Sequence, residues 1–173
     1  MRASLARMAM GGAIVVITAC WPAFAAPSVG APAPALTGPE LDGRAFDLSA
    51  WRGKTVIVNF WASWCAPCRH EMPVLNAFYQ RYHGRGLEVI GISTDRPRDR
   101  DDAVRIIQAF SYPAALMRDL TANGFGAPGA IPVTYVIDSS GVVRTSFSPT
   151  ENGVTEEQLD QAVLPLLGVA PLK

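Results

Sequence analysis

The chain has 173 residues, of which 49% are hydrophobic and 17% charged, and its formal net charge is zero. That length suits one domain able to bury a real core. Setting aside Arg2 and Arg7, 13 basic residues face 15 acidic ones for a net charge of −2, which excludes a nucleic-acid binder held by a basic surface.

In chain order, a leader comes first. Arg2 and Arg7 form a positive n-region, Ala9 to Ala19 an uncharged and mostly apolar h-region, and Ala23-Phe24-Ala25 an A-x-A cleavage site. Residues 1–25 are therefore expected to be a signal peptide. Two other readings stay open. Ile17-Thr18-Ala19-Cys20 resembles a bacterial lipobox, which would make Cys20 a lipidated N-terminus, and Met8 to Ala26 is nearly long enough to stay as a membrane anchor. All three carry the domain across a bacterial inner membrane, into the periplasm, free or tethered. Residues 26–39 are rich in proline and alanine and read as an extended tether, leaving 40–170 as the folded domain.

Leu41-Asp42-Gly43-Arg44 is a turn signal and Arg44 to Leu48 alternates as a strand, which together predict an N-terminal hairpin. Thr55 to Trp61 is an apolar, β-prone run. A helix from about Cys65 to Tyr82 follows, with Leu75, Phe78, Tyr79 and Tyr82 on one face and Pro73 placed to kink it. Leu87 to Ser93 is a second apolar strand, and Asp99 to Phe110 has helical spacing. Arg96, Arg98 and Arg100 interleave with Asp95, Asp99, Asp101 and Asp102, which reads as a solvated turn and helix start. A loop with Tyr112-Pro113 and a short segment at Thr121 to Phe125 lead to the strand Val133 to Ile137. Asp138 to Gly141 turns the chain into a hairpin partner, Val142 to Phe147. Thr155 to Leu167 closes the domain as a helix, with Thr155 as N-cap and Gln158 in the capping-box position. A strand–helix–strand unit followed by a late hairpin implies a mixed central sheet with helices on both faces.

The chemistry concentrates in Trp61-Ala62-Ser63-Trp64-Cys65-Ala66-Pro67-Cys68, where the first strand hands over to the helix. Helix N-terminal amides favour negative charge, so a cysteine placed there becomes a thiolate more readily. A second thiol one turn on can attack the mixed disulfide formed by the first. With the leader removed only Cys65 and Cys68 remain, and a bridge closing so short a loop removes little unfolded-chain entropy, which argues against a purely structural disulfide. Cys65 is expected to be the more exposed, attacking sulfur, with a pKa below the ordinary value of about 8.5, and Cys68 the more buried, resolving one. Pro67 fits a first-turn position because its missing N–H would be unpaired there anyway. Glu71, three residues after Cys68, falls on the same side of the helix. Trp61 reads as core, and Trp64 as a shield for the site that contacts partners.

Asn59 to Pro73, Ile131 to Asp138 and the turn Asp138 to Gly141, in this order behind a secretory leader, resemble the TlpA/ResA-like thiol-disulfide oxidoreductases of the thioredoxin superfamily. The resemblance spans roughly residues 34–167. It implies an α/β thioredoxin-like fold with an added N-terminal β-hairpin, and reversible exchange between a Cys65–Cys68 disulfide and client proteins. It implies that Glu71 is an acid handling protons for the cysteine pair. Thioredoxin itself carries a buried aspartate six residues before its first cysteine, whereas this chain has Asn59, which cannot titrate. It implies that Pro132 is cis and packs on the disulfide, and that Ile131 offers backbone groups to an extended partner.

The resemblance further implies a reductant serving cytochrome c maturation or copper-centre assembly, with electrons from a membrane-embedded thiol reductase and no cofactor beyond the disulfide. A copper-handling assembly factor is the alternative. Cys65, Cys68 and His70 supply three ligand types, but a closed zinc site would want four, so no metal site is expected and His70 reads as a solvent-facing residue. A peroxidase of the same fold would place a lone cysteine in a threonine- and proline-rich loop, unlike this pair. No long heptad argues for a dimer, so a monomer is expected.

Overall fold

The computed structural model describes residues 26–169. The leader, with Cys20 and the lipobox, and the last expected domain residue, 170, lie outside them. The elements are β1 Leu36–Pro39, β2 Ala45–Asp47, β3 Thr55–Trp61, α1 Ala66–Tyr82, β4 Leu87–Ser93, α2 Arg100–Ile107, β5 Ala114–Leu116, β6 Ala122–Asn123, β7 Val133–Ile137, β8 Val143–Phe147 and α3 Glu156–Val163. Five strands form a mixed sheet in the order β5-β4-β3-β7-β8, and β2-β1-β6 form a second, three-stranded sheet. β3 is central, parallel to β4 and antiparallel to β7. Every residue of β3 and β4 is buried, as expected of strands covered on both faces.

Side chains alternate across a strand, so β3 sends Ile57 and Trp61 to one face and Val56, Val58 and Phe60 to the other. The first face packs against Met72, Leu75 and Phe78 of α1, Ala103 and Ile107 of α2, and Leu159 and Val163 of α3. The second is covered by Leu36 of β1, Phe46 of β2, Leu48 of a 3-10 turn and Phe125. Both faces are therefore layered, but unevenly: all three α-helices share one face, and strands and 3-10 turns cover the other. The unforeseen strand β5 explains this. Both crossovers, β3-α1-β4 and β4-α2-β5, step in the same direction across parallel neighbours, and right-handed connections then place both helices on one side.

The stretch expected as a tether is partly folded. Leu36 is fully buried, β1 pairs antiparallel with both β2 and β6, and Gly30 and Ala33 donate to the carbonyls of Val143 and Gly141 at 2.8 Å each. Prolines remove donors, yet the remaining amides still find partners on the sheet. Helix α1 runs unbroken through Pro73. The closing helix is shorter than expected, Glu156–Val163 followed by a 3-10 turn, Leu164–Leu167, and its capping box forms: Thr155 Oγ1 accepts from the Gln158 amide while Gln158 Oε1 accepts from that of Thr155.

Candidate active site

Cys65 and Cys68 are joined by a disulfide, S–S 2.03 Å. Cys65 is the N-cap of α1: its backbone is extended, and its sulfur accepts the Cys68 N–H at 3.2 Å. Pro67 sits in the first turn, where no amide is lost. The sulfur that would carry charge after bond cleavage is thus already placed on helix amides, in the field that favours a thiolate. Cys65 is 5% exposed and Cys68 fully buried, in the expected order. Trp61 is fully buried, whereas Trp64 is 66% exposed. Trp64, Thr94, Met117, Pro128 and Ile131 are among the residues lining a cavity of about 300 Å³ beside the disulfide loop. The Ile131–Pro132 peptide is cis, Ile131 is half-buried and Pro132 buried.

The second turn of α1 carries a buried polar group. Glu71 is 1% exposed; its Oε1 accepts from Asn59 Nδ2 at 2.5 Å and its Oε2 from the Val154 amide at 2.7 Å. Burial pushes the Glu71 carboxyl from 4.5 up to about 7, against the opposing hydrogen bonds from Val154 and Asn59. Asn59 alternates with Ile57 and Trp61 on the helix-covered face of β3. It also donates to Thr134 Oγ1 at 2.9 Å from the directly paired residue of β7. Its Oδ1 has no hydrogen-bond partner among the described residues. Gly153, at φ +67°, closes over the carboxyl, and a Cβ there would lie 2.6 Å from Glu71 Oε2.

The structure places Cys65, Pro67, Cys68 and Glu71 in the first two turns of α1 and its cap, and Trp64 and Ile131 around one cavity, with the cis Pro132 following Ile131. His70 is exposed on α1. Among the described residues no group of three or more His, Cys, Asp or Glu side chains is placed to hold a metal ion. Three contributors escaped sequence reasoning. The Gly153-Val154 loop reaches Glu71, and Thr134 reaches its partner Asn59, only through the fold. Asp95, read as part of a solvated turn, is 4% exposed and hydrogen-bonded to Ser63 at the entrance to the cysteine loop. Its one sequence signal is its place two residues after a buried strand.

The AhpC/TSA family model matches residues 29–146. The chain is 33% identical over 135 residues to a thiol-disulfide oxidoreductase ResA of Geobacillus thermodenitrificans, covering 78% of this chain and 75% of that one. Among solved structures it resembles a thioredoxin-family thiol:disulfide interchange protein of Chlorobium tepidum, with 30% identity, TM-score 0.66, and 83% of this chain and 100% of that one covered. It also resembles a secreted thiol-disulfide isomerase of Corynebacterium glutamicum, with 29% identity, TM-score 0.66, and 78% and 84% covered. Match, fold and dithiol site agree that the chain belongs to the AhpC/TSA family as a TlpA/ResA-like thiol-disulfide oxidoreductase of the thioredoxin superfamily.

Proposed function

We propose that this enzyme is an extracytoplasmic reductant of client protein disulfides, with Cys65 as nucleophile, Cys68 as resolving thiol and Glu71 as the proton carrier for the pair. The reading rests above all on what the head of α1 carries: a sulfur capping the helix and, three residues after Cys68, a buried carboxyl bonded to Asn59 and Val154. The Cys65 thiolate attacks one sulfur of the client, the client S–S bond breaks, and a client thiolate leaves. Cys68, having given up its proton, then attacks Cys65 Sγ, so the mixed disulfide breaks and the second client thiolate leaves. The client gains two electrons, and the Cys65–Cys68 bond re-forms.

Glu71 suits the proton step because its pKa of about 7 lets it take up and release a proton near neutrality. Asn59 supports both of its states. The amide nitrogen serves the carboxylate, and turning the amide presents the free Oδ1 to a protonated carboxyl. Trp64, Ile131, Pro132 and the first-turn Pro67 form the face met by the client, whose extended segment pairs with the backbone at Ile131. The clients are the disulfide formed by apocytochrome c cysteines, or a copper-centre protein of the periplasm. A membrane-embedded thiol reductase restores the dithiol, and the domain acts as a monomer, free or tethered to the inner membrane. A secreted relative supports this location.

The test is the reduction potential of the Cys65–Cys68 couple, equilibrated against glutathione or dithiothreitol. A value near thioredoxin's, about −270 mV, is expected, while one near about −120 mV would make the protein an oxidant and overturn the direction. Alongside it, C65S should lose exchange with insulin disulfides.

A further inference from the structure

Asp95 follows β4 and opens the charged run Asp95 to Asp102, yet it is the one ionisable side chain of that run that is buried. Its Oδ2 accepts the Ser63 amide at 2.8 Å and the Ser93 hydroxyl at 2.7 Å, and its Oδ1 accepts the Ser63 hydroxyl at 2.8 Å. Its own amide donates to Ser93 Oγ at 3.1 Å. One residue earlier, the Thr94 amide and hydroxyl both donate to the Trp61 carbonyl, at 2.8 and 3.1 Å. Within the segment so held, the Cys65 amide donates to the Ala62 carbonyl at 3.1 Å.

A buried carboxylate gives up hydration that a surface turn would keep, and must be met by hydrogen bonds instead. Here the donors that meet it are neutral, and two of the three belong to Ser63. The carboxylate thus fixes both the backbone and the side chain of a single residue. That residue stands two positions before Cys65 and next to the exposed Trp64. Displacing a reacting atom by about 1 Å can cost about a hundredfold in rate, so a rigid entry to the nucleophile has chemical value.

We propose that Asp95 is a positioning residue for disulfide exchange. It locks Ser63, and through it the peptide carrying Trp64 and the Cys65 sulfur, onto the tip of β4, so that the sulfur stays seated on the amide end of α1. This rests on the reading of Cys65 as the attacking sulfur. The charged groups facing the loop are Arg69 of α1, Arg96, Arg98 and Asp99 after β4, and Asp102 and Arg105 of α2; all remain in the variants below.

The experiment compares reduced wild type, D95A, D95N and S63A. It follows the pH profile of Cys65 alkylation and the rate of exchange with insulin, with Tm recorded for each. In D95A the alkylation midpoint should rise by about one pH unit, and the thiolate available below it should fall about tenfold. D95N keeps an oxygen for the Ser63 amide and gains an N–H for its hydroxyl, so it should recover most of the loss. If D95A does not fold, S63A, which deletes one hydroxyl, decides the matter through a smaller shift in the same direction. An unchanged profile beside a lowered Tm would reduce Asp95 to a structural residue. Equal loss in D95N and D95A would show that the hydrogen bonds to Ser63 do not carry the effect, and would equally overturn the proposal. Exchange surviving in C65S would instead remove the underlying reading of the nucleophile, whatever the Asp95 variants show.

Discussion

Glu71 is the residue whose environment sets a pH signature near neutrality. Burial raises its pKa from 4.5 to about 7, so between those values the folded chain keeps a proton that the unfolded chain has released. The stability contributed by the neutral carboxyl is complete below about pH 4.5 and is lost as pH rises through about 7, a change on the order of 3 kcal/mol. The comparison belongs on the oxidised protein, where neither cysteine titrates. Wild type should lose urea resistance across this window relative to E71Q, in which the group is always neutral. Parallel curves for the two would show that Glu71 does not titrate there. Gln is accommodated because Asn59 can turn its free Oδ1 toward the new amide.

At the level of elements, the loop between β8 and α3 joins stability to the site. Val154 donates to Glu71, and its neighbour Thr155 caps α3. T155A should cost about 1 kcal/mol, or about 2–4 °C in Tm. It should also move the pH window of Glu71, because the Val154 amide is anchored by the same cap. A Tm loss with the window unmoved would uncouple the two. This loop also shows where sequence reading stops. The bounds of β3, β4 and β7 follow from continuous or alternating apolar runs, and the cap of α3 from Thr155 and Gln158. Strands β5 and β6, three and two residues long, are too short for any periodicity to register. Cys65, Cys68, Glu71 and Asn59 were legible because a single strand–helix junction carries them. Asp95 hid inside an alternating charge run, and its partner lies 32 residues away. Such contacts are made by topology rather than by local pattern.

For the whole molecule, β1 is the first strand of the chain among the described residues. L36A should destabilise the domain by about 2–5 kcal/mol, as deletion of a fully buried leucine side chain does. A negligible cost would return residues 36–39 to the role of spacer. The fastening of residues 30–33 has a wider consequence. They are bonded to Gly141 and Val143, beside the end of β7 that pairs with the start of β3, whereas the disulfide follows the finish of β3. A seven-residue strand, about 20 Å, separates these poles. Whatever is joined ahead of residue 30 therefore pulls on the floor of the domain and leaves its reactive roof facing outward. Coupling the protein to a bead through its N-terminal side should preserve the rate of exchange with insulin, while coupling through a cysteine placed at Arg69, beside Trp64, should suppress it.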